Sequence, residues 1–301
     1  MVEVWFFYII TSVIFWGLNA IIDKVVLTKH LNAFSYSIAY IPARLIVLVG
    51  ILLFVPINFN SNFFYLAFAA GILSVCGYYL YAFAMKREEA SRISALTSLY
   101  PAFVAVLAAV FLNEIFSIKS YAGILLVILG AVLISYRRKT GNAQKMIPFA
   151  IILIVIGTNG FYGIEQTISK ISLNYYQFWQ FFAIYSISSL LMTFPPLVIP
   201  HFRNSFVKEL MGLKRNMIFL LLFSSTIWIL GVALFFYSAS LGPVTLVSTL
   251  SITSPFLTLL FTIALSKFWP KILKEEIDRK TVALKLFSIA LIFLGTYLIM
   301  A

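Results

Sequence analysis

Apolar residues run along this chain in blocks, each followed by a short stretch rich in Lys, Arg, Pro or Asn. The blocks lie near 4–22, 34–55, 63–85, 92–112, 119–136, 147–168, 176–199, 217–239, 244–266 and 283–300. A bilayer-spanning helix needs about 20 mostly apolar residues, and the blocks are close to that length. A membrane β-barrel would instead show short alternating segments, which are missing here. The pattern predicts an all-α polytopic membrane protein with ten transmembrane helices. The longest breaks, "HFRNSFVKELMGLKRN" and "KFWPKILKEEIDRK", are basic and amphipathic, and are expected to lie on the membrane surface.

The blocks repeat. At an offset of 146 residues, "FWGLNAIIDKVVL" (15–27) falls on "FYGIEQTISKISL" (161–173). Phe, Gly, Ile, Lys and Leu coincide, and Trp16 meets Tyr162. At an offset of 154, "SALTSLYP" (94–101) meets "STLSITSP" (248–255), and at 165 "VILGAVLI" (127–134) meets "IFLGTYLI" (292–299). Three matches in the same order, anchored by Gly, Lys and Pro, predict two units, residues 1–140 and 146–301. Each unit holds five spans. An odd number forces the second copy to cross the membrane upside down, the architecture of many secondary transporters, in which inverted halves enclose a site near the midplane.

Composition agrees with this picture. Of 301 residues, 62% are hydrophobic and 11% charged, and the mean hydropathy is +1.02, too apolar for a water-soluble surface. The net charge of +12 is not a nucleic-acid signal, because the basic residues mark span ends rather than one face. Nineteen Lys and Arg residues follow odd-numbered spans and only Lys119 and Lys170 follow even ones. The positive-inside rule then places both termini outside. The single cysteine, Cys76, offers no disulfide framework, and neither metal nor cofactor is expected. Glu3 and the lack of a positive n-region predict that the first span is retained.

Polar residues inside the blocks are the candidates for function, because a charge within a span costs about 2.5–3.5 kcal/mol on insertion scales. Arg44 lies close to the middle of the second span, where a carboxylate, helix carbonyls freed by Pro42 or an anionic substrate would satisfy it. Glu165 lies late in the sixth span, beside Gln166 and one turn before Ser169. Its repeat mate is Asn19, while Asp23 and Lys24 face Ser169 and Lys170. A cavity-lining carboxylate that binds substrate or takes a proton is one reading of Glu165; an interfacial residue just past the span end is the other. Lys24 and Lys170 are expected to snorkel to the headgroups. Pro101 and Pro255 free the carbonyls of Thr97 and Ser251. Ser98, Tyr100, Thr253 and Ser254 add donors and acceptors there, as suits a cavity wall that bends. Trp16, Tyr78, Tyr81, Trp228 and Tyr237 could stack on a substrate. His30 and His201 fall in breaks and are read as solvated. No nucleophile–base pair, metal-ligand cluster or phosphate loop is present.

"WGLNAIIDK", Arg44, "SLYPAFVAVLAAVFLNE" and "GILLVILGAVLIS", with their echoes "YGIEQTISK", "TSPFLTLLFTIAL" and "LIFLGTYLI", resemble the drug/metabolite transporter superfamily in its EamA-like branch. The resemblance covers essentially the whole chain. It implies a basket of helices around a central cavity lined by the first, third, fourth, sixth, eighth and ninth spans. It also implies cytoplasmic termini, opposite to the charge bias. Where the family carries Gly-Glu after the fourth span, this chain has Asn113-Glu114. The expected activity is secondary transport of a small metabolite across the cytoplasmic membrane, foremost export of amino acids or similar solutes. The expected substrate-binding set is Trp16, Asn19, Arg44, Tyr78, Tyr81, Thr97, Ser98, Glu165, Gln166, Tyr237, Ser251 and Ser254. The expected partners are a small-molecule substrate, the lipid bilayer and a coupling proton, with the chain a monomer or homodimer. A carrier of an anionic substrate such as a sugar phosphate or nucleotide sugar, with Arg44 or Arg92 as counter-charge, and a membrane scaffold without transport are the alternatives. An enzyme is not expected.

Overall fold

A computed structural model of the chain describes residues 4–56, 63–88, 90–97, 99–112, 117–135, 149–266 and 279–300. Its regular structure is helical throughout those residues. Hydrocarbon offers the backbone no hydrogen bonds, so an apolar run satisfies its N–H and C=O groups within itself, as a helix. In chain order the helices are α1 (Val4–Lys29), α2 (Ala33–Ala39), α3 (Ile41–Phe54), α4 (Phe64–Arg87), α5 (Ala90–Thr97), α6 (Tyr100–Phe111), α7 (Ile118–Ser135) and α8 (Phe149–Leu173). Then come α9 (Phe178–Thr193), α10 (Pro195–Val198), α11 (Pro200–Met211), α12 (Arg215–Leu241), α13 (Val244–Leu250), α14 (Ser254–Ser266) and α15 (Arg279–Met300), with a 3-10 turn at Ser251–Thr253.

Among the described residues, seven segments are long and apolar enough to cross a membrane, the α2–α3, α9–α10 and α13–α14 stretches each counting as one. Shorter apolar helices at Tyr100–Phe111, Ile118–Gly130 and Val282–Gly295 occupy the positions of the fourth, fifth and tenth predicted spans. The chain is therefore a multi-pass, all-α membrane protein. The breaks have local causes. The Asn32 side chain accepts from the Ser35 N–H at 2.9 Å and starts α2. Pro42 sits in the first turn of α3, where its missing N–H costs nothing. Four residues before Pro101 and Pro255, where each ring removes a helical bond, α5 ends at Thr97 and the 3-10 turn begins at Ser251.

The main packing pairs are α1 on α12, α4 on α8 and α7 on α15. Their contacts match residue by residue at the sequence offsets. A Cβ added to Gly77 would lie 2.8 Å from Tyr162 and 3.3 Å from Phe161; one added to Gly231, 154 residues on, would lie 2.7 Å from Trp16 and 3.5 Å from Phe15. Gly17 faces Leu257 as Gly163 faces Phe103. Lys24 donates to the carbonyls of Met85 (3.0 Å) and Glu88, at the end of α4. Lys170 donates to those of Ala239 (2.8 Å) and Gly242 (3.0 Å), at the end of α12. The two lysines thus cap helix C-termini rather than snorkel, since the last carbonyls of a helix lack intrahelical donors and attract cations. Gly130 approaches Ser288 and Ile292, and Gly295 approaches Gly123 and Val127, each the 165-residue partner of the other. Small residues let membrane helices come this close.

Two expectations on span ends change. The first and sixth spans continue to Lys29 and Leu173, well past the positions the hydropathy suggested. Asp23 and Glu165 therefore lie inside α1 and α8, with two per cent and five per cent of their surfaces exposed. Among the loop segments, α11 buries no residue. Its Glu209 carboxylate accepts from the Asn32 N–H at 3.0 Å and the Asn32 side chain at 2.8 Å, tying α11 to the turn before α2. "KFWPKILKEEI", Asn113 and Glu114 lie outside the described residues.

Candidate functional site

Many buried hydroxyls among the described residues are spent on their own helix: Thr158, Thr167, Ser186, Thr193, Thr249 and Thr262 each donate to the carbonyl four residues back. The polar groups that reach across helices are fewer, and they gather in the interior. A cavity of about 140 Å³ opens between α1, α4, α5, α6, α8, α9, α12 and the broken α13–α14 stretch. Its wall carries two carboxylates, Asp23 and Glu165, and the polar side chains of Asn19, Ser74, Ser94, Thr97, Gln166, Ser251 and Ser254. Aromatic rings supply most of the remainder: Trp16, Tyr78, Tyr81, Tyr100, Tyr162, Tyr185, Trp228, Phe235 and Phe236.

Each carboxylate anchors a network. Asn19 Nδ2 and Tyr36 Oη donate to Asp23 Oδ1 at 3.0 and 2.6 Å, and Tyr40 Oη lies 3.4 Å from the same oxygen. Ser224 Oγ donates to Asn19 Oδ1 at 2.8 Å and lies 2.8 Å from both tyrosine hydroxyls. In the other network the Tyr185 hydroxyl bridges Glu165 Oε1 at 2.9 Å and Ser74 Oγ at 2.6 Å. The first network draws on the first, second and eighth spans, the other on the sixth, seventh and third. Adding five to each ordinal, modulo ten, converts one set into the other. Between them the Tyr100 and Ser251 hydroxyls bond to each other, and Ser94 Oγ lies 3.3 Å from Thr258 Oγ1, joining the fourth and ninth spans at their breaks.

Three wall residues hold a buried polar atom without a protein partner: Trp16 Nε1, Tyr78 Oη and Gln166 Oε1. An unpaired buried polar atom costs about 1–3 kcal/mol, so a cavity lined by several is suited to a solute that supplies their partners.

Residues 3–136 match the EamA-like transporter family. Over those residues the chain is similar to the EamA-like transporter family. The family's members are transporters of the drug/metabolite type. One solved crystal structure superposes on this chain with a TM-score of 0.65 at 15% identity, covering 99% of this chain and 96% of the other. At that identity it speaks for the fold alone. No curated protein matches the sequence.

In this fold, Trp16, Asn19, Tyr78, Tyr81, Thr97, Glu165, Gln166, Ser251 and Ser254 share the wall of one cavity. Arg44 and Tyr237 do not join them. Arg44 donates to Thr193 Oγ1 at 2.8 Å and Ser189 O at 3.4 Å, and its guanidinium sits 5.0 Å from the Trp228 ring centroid. It lines a small neighbouring pocket, separated from the cavity by Tyr185, Trp228 and Val232, which line both. Tyr237 packs edge-on against Tyr8 and Phe178, 4.8 and 5.1 Å between centroids. Ser98 lies outside the described residues, as does the side chain of Arg92.

Sequence reasoning passed over Asp23, Tyr162 and Tyr185. The four-residue step from Asn19 to Asp23 places both on one face, a signal that could have singled out Asp23. Tyr162 was visible only as the repeat mate of Trp16. Nothing in "FFAIYSISS" sets Tyr185 apart from an ordinary membrane tyrosine.

Proposed function

We propose that this chain is a secondary transporter of the cytoplasmic membrane that moves an amino acid or similar small metabolite outward. Two inverted five-helix halves, residues 1–140 and 146–301, rock about the central cavity and expose it alternately to the two sides. The observation that carries this reading is the cavity itself, walled by equivalent spans from both halves and bounded by the two proline-broken helices. Support for the repeat comes from the contacts that recur at offsets of 146, 154 and 165 residues, above all Lys24 with Met85 and Glu88 against Lys170 with Ala239 and Gly242. Broken helices bend where their backbone is already unbonded, which favours them as moving walls. Glu165 is the proposed proton-coupling group, an intramembrane carboxylate facing a cavity.

The test is flux in reconstituted vesicles. Thr97→Leu, Ser251→Leu and Glu165→Leu each fill the cavity and should abolish uptake of a radiolabelled substrate while the protein still elutes as a folded species. Unchanged flux in all three would refute the assignment, and a non-transporting scaffold would tolerate all of them. Glu165→Gln should remove the dependence on a pH gradient and spare exchange.

A further inference from the structure

The cavity's charge is opposite to that of the chain. The protein carries a net +12, yet the ionisable acids and bases on the described wall are Asp23 and Glu165, with no Lys, Arg or His. The nearby cations among the described side chains are committed elsewhere. Lys24 is adjacent to Asp23 in sequence, but its ammonium is turned to the carbonyls of Met85 and Glu88. Lys170 is likewise held at the end of α12. Arg44 stays in the neighbouring pocket on Ser189 and Thr193.

Around Asp23 the wall is aromatic. The Tyr78 ring lies 5.9 Å from that of Tyr81 and 6.0 Å from those of Tyr40 and Trp228. Tyr81 also faces the Asp23 carboxylate. The bonds from Asn19 and Tyr36 and the close approach of Tyr40 converge on Oδ1, and Tyr81 bonds the carboxylate as well, so its orientation is fixed. Beside it, Tyr78 Oη is buried without a partner. A carboxylate set among π-faces, with no cation among the described side chains paired to it, matches a positively charged nitrogen carried on an apolar or aromatic body. A carboxylate or phosphate on the cargo would meet two like charges and no counter-charge on this wall.

We propose that the cargo site selects organic ammonium cations, with Asp23 as the counter-charge and Tyr78, Tyr81 and Trp228 as the cage around the nitrogen. This rests on the transporter reading of the same cavity and narrows it, from metabolites in general to amines with an apolar body.

Equilibrium binding to the purified full chain in nanodiscs, followed by intrinsic tryptophan fluorescence, tests it with two probes of matched shape and opposite charge. Phenethylamine should bind at least about ten-fold more tightly than 3-phenylpropionate, and Asp23→Asn should weaken the amine by about ten-fold or more while leaving the acid's binding no weaker. Tyr78→Leu, which spares the carboxylate, should weaken the amine by about three- to thirty-fold, the range of a cation–π contact. It remains informative if Asp23→Asn fails to fold. Equal or tighter binding of the acid, no binding of the amine, or amine binding indifferent to a folded variant at Asp23 or Tyr78 overturns the proposal. Flux is read separately. Selective amine binding without transport in vesicles would refute the transporter reading and keep this site, whereas transport of the acid in preference to the amine would do the reverse.

Discussion

Replacing Gly130 and Gly295 with alanine, singly and together, probes the seam between α7 and α15. A Cβ at position 130 would lie 2.6 Å from the Ser288 carbonyl oxygen, and one at 295 would lie 2.5 Å from that of Gly123. Ordinary contact begins near 3.4 Å, so each methyl is about 0.8–0.9 Å too close to a backbone atom. A backbone carbonyl in a helix cannot swing aside, so α7 and α15 must separate or slide. Over-packing of this kind costs about 1–3 kcal/mol per site. Both methyls are relieved by one and the same separation, so the double variant should cost less than the sum, by a coupling of about 0.5–3 kcal/mol. The assay is equilibrium unfolding in mixed micelles with rising SDS fraction, followed by far-UV circular dichroism. No residue of either helix lines the cavity among the described residues, so ligand affinity per folded molecule should not change. Single variants within about 0.5 kcal/mol of wild type, or strict additivity, would refute the close packing of these two helices.

Two further outcomes follow from the structure. Lys24→Met and Lys170→Met each strip a charge-assisted cap from the end of a neighbouring helix, and in the same unfolding assay each should cost about 1.5–3 kcal/mol. A loss at one lysine with none at the other would contradict the equivalence of the two contacts. At the surface, burial acts to raise the Glu209 pKa, but the bonds from the Asn32 backbone and side chain and from Ser205 outweigh it and hold the carboxyl below its ordinary value of 4.5. A carboxylate whose pKa is lower in the folded state stabilises its contact at higher pH and loses that effect as pH falls through the folded value. Hydrogen-exchange protection of the α2 amides, taken relative to the intrinsic rate at each pH, should therefore fall below about pH 4.5 in the wild type, and Glu209→Gln should abolish that pH step. An unaltered step in the variant would rule Glu209 out as its origin.

The contacts that recur at offsets of 146, 154 and 165 residues could be read because their anchors are rare in apolar sequence. Gly17 and Gly163, Lys24 and Lys170, and Pro101 and Pro255 stand out from the surrounding Leu and Ile, and each pair makes equivalent contacts or breaks in the fold. Thr97 and Ser251 could be read because proline chemistry acts locally, four residues back along the same helix. The roles of the lysines could not be read. A Lys near a span end can reach headgroups or a neighbouring helix terminus, and the choice depends on whether α4 or α12 ends within its reach. Arg44 was ambiguous for the same reason: its depth is written in the sequence, whereas Ser189, Thr193 and the Trp228 ring come from spans seven and eight.

Hydropathy and its punctuation thus determined by themselves that the chain is a multi-pass helical membrane protein, because a bilayer imposes one length and one backbone solution on every span. Residue spacing determined which side chains correspond at the offsets of 146, 154 and 165 residues. Only the tertiary structure decided which of those side chains meet. It gathered Asp23 with tyrosines from the second and third spans, set Glu165 on Tyr185 and Ser74, and left Arg44 and Tyr237 off the cavity wall. Such choices depend on the rotation of each helix about its axis, which is set by packing against neighbours distant in sequence.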